Sequence, residues 1–81
     1  MSLDRFAARA SSDPAYFGYH LRDYATAHCL TNAALAAWLG VAPDVLTRIR
    51  ICGTPRDRAD CEEIAGKLGG DVGRMCEVMG W

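Results

Sequence analysis

The sequence lacks a long apolar run, an excess of charge of either sign, any C-x-x-C pair and any alternating strand pattern. No apolar stretch approaches the roughly 20 residues of a membrane-spanning helix, and the opening MSLDRFAARASSD has no apolar centre of the kind a secretory leader needs. Both absences point to a cytoplasmic protein without a membrane partner. Nine Lys and Arg stand against ten Asp and Glu, a net charge of -1. That balance excludes a histone-like or polybasic binder, so any affinity for nucleic acid has to come from local placement of arginines.

The four cysteines, Cys29, Cys52, Cys61 and Cys76, match neither zinc-ribbon nor zinc-finger spacing. A reducing compartment argues against a disulfide framework. Cys61 and Cys76 fall on apolar helix faces and read as small core hydrophobes. A metal site recruiting His20 or His28, or a redox switch, is the alternative, although neither histidine has a partner at motif spacing. Also missing are G-x-S-x-G, a phosphate-binding glycine loop, H-E-x-x-H and a Cys-His pair with an orienting residue. Asp60, Glu62 and Glu63 read as the solvated side of a helix. The expectation is a non-enzymatic protein with no cofactor and no metal.

What is present is helical. At 81 residues, 51% hydrophobic and 23% charged, the chain suits one globular domain spanning 1-81, with 1-12 as an arm or short helix and 13-80 as the core. Ser2 would cap a short helix with Leu3, Phe6, Ala7 and Ala10 on one side. Asp13-Pro14 reads as a helix start, followed by the stripe Phe17, Leu21, Tyr24 and Ala25 as far as about His28. Thr31 caps a helix that buries Leu35, Ala36 and Leu39 and stops at Gly40. Pro43 and Asp44 open the next one, which turns Leu46, Ile49 and Cys52 inward until CGTP (52-55) breaks it. Asp57 or a neighbour opens a helix with Cys61, Ile64, Ala65 and Leu68 on one face, closed by Gly69-Gly70. Asp71 caps the last, with Val72, Met75, Cys76 and Met79 inside. The fold class is therefore all-α: a compact bundle of five helices, with a sixth short one at the N-terminus.

Within this order, residues 32-51, NAALAAWLGVAPDVLTRIRI, resemble the helix-turn-helix of lambda-repressor-like (Xre/Cro-type) DNA-binding domains. Leu35, Ala36, Leu39, Gly40, Val41, Leu46 and Ile49 stand where that family keeps its apolar contacts, small residue and turn glycine. Two helices that cross steeply need a small residue at closest approach, a residue tolerant of positive φ between them, and apolar inner faces. A preceding helix, a Pro-containing loop at 53-55 and two closing helices extend the likeness over about residues 14-79.

The resemblance implies duplex contact through 31-51. Asn32 stands where the family touches phosphate, and Ala42, Pro43 and Asp44 stand at its base-reading positions, with Thr47 and Arg48 one turn on. Here the chain departs from the pattern: Ala42 offers a thymine-methyl contact at most, Pro43 has no donor, and Asp44 can accept from cytosine N4 but is repelled by nearby phosphates. Where the family keeps an acid that pairs within the domain, this chain has Arg50, which loses an ion pair or frees a cation for phosphate. Arg48, Arg50, Arg56 and Arg58 stand against Asp57 alone between 48 and 58, and Thr47 and Thr54 add hydroxyl donors for the DNA backbone.

Two functions fit. One is a small transcriptional regulator that binds double-stranded DNA through Asn32, Ala42, Asp44, Thr47, Arg48, Arg50, Thr54, Arg56 and Arg58, as a homodimer on two-fold operators. The other is an adaptor that turns the same surface toward a protein partner. For the adaptor, Pro43-Asp44 is no handicap, and an outward Ile51 near Trp38 provides an apolar contact. Trp38 also reads as a core-edge aromatic packed on the first helices.

Overall fold

The computed structural model describes Arg9 and residues 12-81. The helix expected over 2-10 lies outside the described residues except for Arg9. Among the described residues there are five helices and no strand: α1 Phe17–Ala27, α2 Asn32–Leu39, α3 Pro43–Arg50, α4 Arg58–Leu68 and α5 Val72–Val78. None is long and apolar enough to cross a membrane.

Helix α1 begins later than Asp13-Pro14 suggests. The Asp13 carboxylate accepts from the Ala15 amide at 2.9 Å and closes a local turn. Tyr16 is then extended, at φ -111° and ψ 147°, and bridges Gly53. The Phe17 amide donates to the Cys52 carbonyl at 2.8 Å, and the Thr54 amide to Ala15 at 3.0 Å. The chain after α3 thus satisfies backbone groups that a helix starting at Pro14 would have used. At its other end α1 stops at a non-glycine: Cys29 takes φ +55°, the Leu30 amide reaches the Ala25 carbonyl at 2.8 Å, and the Cys29 amide reaches Thr26 at 3.3 Å. This is the paired-bond C-terminal cap that glycine usually completes.

The remaining boundaries follow the side chains that can cap. Thr31 accepts from the Ala34 amide at 3.1 Å, Asp57 from Asp60 at 3.0 Å and Asp71 from Arg74 at 3.0 Å. Gly40 is left-handed, at φ 78° and ψ 31°. The amides of Val41 and Gly40 return to Ala36 and Ala37 at 2.9 and 3.1 Å. Pro43 opens α3 without a side-chain cap. The missing donor of proline and its fixed φ suit a first turn.

One core joins all five helices. Phe17, Leu21, Leu35, Leu39, Ile49, Cys61 and Met75 are sealed from solvent, and Ala25, Ala36, Leu46 and Cys76 are nearly so. Burying each large side chain among them contributes on the order of 1.5 to 3 kcal/mol. Helix α3 packs on α1, α2 and α4, and α5 closes over α1, α2 and α4. Ile64, Ala65, Leu68, Val72 and Met79 border this core half-buried.

Candidate functional site

The turn at 40-42 connects α2 to α3, and the inner faces of the two helices, Leu35, Ala36 and Leu39 against Leu46 and Ile49, are buried. This sealed seam fixes which side of α3 meets solvent. Ala42, Asp44 and Arg48 are exposed there, and Thr47 is half-buried. Ile51, expected in the open on the same face, is half-buried. The helix ends at Arg50, and Ile51 is the turning residue at its C-terminus, with φ -91° and ψ 0°, so it leaves the outward helical row.

Asn32 and Arg50 come together as a pair. A guanidinium nitrogen of Arg50, Nη2, donates to Asn32 Oδ1 at 2.7 Å, from the last residue of α3 to the first of α2. Arg50 is half-buried, and desolvation lowers its pKa from the ordinary value. Arg50 is therefore not a freed cation; it is engaged across the two helices.

The two hydroxyls are engaged as well. Thr47 Oγ1 donates to the Pro43 carbonyl one turn back at 3.2 Å, and Thr54 Oγ1 donates to the Pro14 carbonyl at 2.8 Å. Each hydroxyl has a single proton, so as placed neither donates outward. Thr54 instead pins the loop after α3 to the segment before α1.

The Asp57 carboxylate caps α4, and among the described residues Arg56 and Arg58 form their ion pairs with other acids. The acids that matter stand one turn further along. Arg56 Nε lies 3.5 Å from Asp60, whose carboxylate also accepts the Arg56 amide at 2.9 Å, and Arg58 Nε lies 3.4 Å from Glu62. The sequence carried this signal as R-x-x-x-D and R-x-x-x-E over 56-62, the spacing that pairs side chains on a helix. Both acids lie beyond residue 58, outside the basic stretch itself. Both arginines remain largely exposed, so each pair is worth only about 0.3 to 0.5 kcal/mol. Among the described residues the Arg48 guanidinium makes no ion pair or hydrogen bond.

Both histidines have a neighbour within the fold. His20 Nε2 lies 3.2 Å from the Pro14 carbonyl, and His28 stacks on Tyr24 with centroids 4.1 Å apart. Burial, and then Cys76 beside it, push the Cys61 thiol up to about 12. Burial also raises the pKa of Cys52, whose thiol donates to the Arg48 carbonyl at 3.6 Å. Among the described residues no three His, Cys, Asp or Glu side chains gather as metal ligands. No family model, curated protein or solved structure matches the chain.

Proposed function

We propose that this chain is a small non-enzymatic transcriptional regulator that docks on double-stranded DNA through a lambda-repressor-like helix-turn-helix formed by α2, the turn at 40-42 and α3. The observation that carries this is the left-handed Gly40 between two helices whose apolar faces are sealed against each other. That arrangement leaves the outer face of α3, with Asp44 and Arg48, open to a partner.

The grip on DNA falls to fewer groups than the sequence suggested. Arg48 is the leading phosphate or base contact. Arg56 and Arg58 can exchange a carboxylate for a phosphate, because the pairs they would give up are weak. Thr47, Thr54 and Arg50 are engaged within the fold. Three phosphate contacts per copy imply a shallow salt slope, with log K falling by roughly 2.7 per decade of salt. A homodimer on two half-sites would double it.

Fluorescence anisotropy with a labelled random-sequence duplex at several salt concentrations tests this. A slope of about -2 to -3 per copy is expected, and binding that ignores salt, or none at all, overturns it. The carboxylate partners of Arg56 and Arg58 and the Pro43-Asp44 helix start favour a second reading. In it, α3 meets a protein partner as an adaptor, and duplex affinity is weak and insensitive to Asp44.

A further inference from the structure

The Asn32–Arg50 bond makes one unit of two residues that the sequence treated as separate phosphate ligands. Guanidinium groups only donate, so the amide atom facing Arg50 has to be the oxygen. That leaves the two-proton nitrogen, Nδ2, at the other end of the amide group, turned away from that bond, at an exposed residue that opens α2. An unrestrained Asn amide presents either end with similar ease, and an oxygen turned toward a phosphate is repelled. On the DNA-docking proposal above, we infer that Arg50 is a positioning residue: it holds the Asn32 amide so that Nδ2 is the donor to a backbone phosphate at the start of α2. Arg50 itself acts through Asn32 and does not touch the duplex.

Independent ligands and a positioned pair behave differently on substitution. The full chain and its Asn32→Ala, Arg50→Ala, double, Arg50→Gln and Asn32→Asp variants are titrated against the same labelled random duplex in two salt concentrations, with thermal unfolding of each recorded. Asn32→Ala and Arg50→Ala should each weaken binding about threefold to tenfold, the range of one hydrogen bond, and the double variant no more than the worse single one.

Arg50→Gln decides the role of the charge. Its neutral amide can still donate to Asn32 Oδ1, so a positioning residue retains most of its effect and the salt slope is unchanged. A direct phosphate contact would instead lose about one unit of slope. Asn32→Asp should fold, because its carboxylate pairs with Arg50, yet bind at least as poorly as Asn32→Ala because it offers only acceptors. Should Arg50→Ala unfold, Arg50→Gln and Asn32→Asp give the same discrimination.

Losses that multiply in the double variant, a slope that falls in Arg50→Gln, or an Arg50→Ala affinity within twofold of the parent overturns this inference and leaves DNA docking standing. A parent chain that does not bind duplex overturns both.

Discussion

The indole of Trp38 lies on the phenol ring of Tyr24, with centroids 4.9 Å apart and planes 20° from parallel, so that α2 is held to α1 face to face. The column continues in both directions, with His28 on the other side of Tyr24 and the Arg74 guanidinium 5.4 Å from the Trp38 centroid. Tyr24 also donates to Glu77, and Arg74 to the Trp38 carbonyl. Trp38 thus joins α1, α2 and α5 at the core edge. Trp38→Leu, which keeps an apolar side chain but loses the stacking and the cation contact, should lower stability by about 1 to 2 kcal/mol. Urea unfolding measures it; a midpoint unchanged from the parent would show that the column contributes nothing.

Two left-handed positions should respond in opposite senses. Gly40→Val should cost on the order of 1 kcal/mol or more through backbone strain. A Cβ at Gly40 meets nothing within 4 Å, so no clash is involved. Cys29, at φ +55°, already bears such strain, and Cys29→Gly should stabilise by up to about 1 kcal/mol, the relief exceeding the added freedom of the unfolded chain. Thermal unfolding of the two variants checks both signs, and a destabilised Cys29→Gly would contradict the strain at Cys29.

Cys61 and Cys76 should label slowly with a thiol reagent in the native protein and rapidly after denaturation, while the exposed Cys29 labels at once. Cys61 also makes stability depend on alkali. Its thiol ionises near the ordinary 9.0 when unfolded but only at about 12 when folded. The stability it contributes is therefore complete below the unfolded value and declines as pH rises above it, by at most about 1.4 kcal/mol per unit. Relative to the parent, Cys61→Val should gain stability steadily above pH 9.0. Parallel losses in the two proteins would exclude the buried thiol as the cause.

Two substitutions on the outer face of α3 bear on the proposed partner. Asp44→Asn removes a repulsion and should tighten binding to random duplex, whereas Arg48→Ala should weaken it and lower the salt slope by about one if the contact is to phosphate. On a cognate site a base-reading Arg48 would cost about 1 to 3 kcal/mol instead. Gel shifts at two salt concentrations distinguish these outcomes. Unchanged affinity in both variants would turn attention to a protein partner.

Periodicity and capping chemistry were enough to place most of the fold. Thr31, Asp57 and Asp71 cap where a short polar side chain precedes an apolar stripe, Gly40 turns where a side chain would be strained, and Pro43 opens a first turn. These are interactions between residues a few positions apart, so the linear sequence contains both partners. The start of α1 was not legible in this way, because Tyr16 is held extended by Gly53, 37 positions away.

The candidate site divides along the same line. Exposure of Asp44 and Arg48 follows from which face of α3 carries Leu46 and Ile49, and the Arg56 and Arg58 pairs follow from helical spacing. The engagement of Arg50 with Asn32 and of Thr54 with Pro14 joins residues 18 and 40 positions apart. Residue type alone left these groups as available donors. Only the packing of α2 against α3, and of the loop after α3 against the segment before α1, decided that Arg50 donates to Asn32 and Thr54 to Pro14.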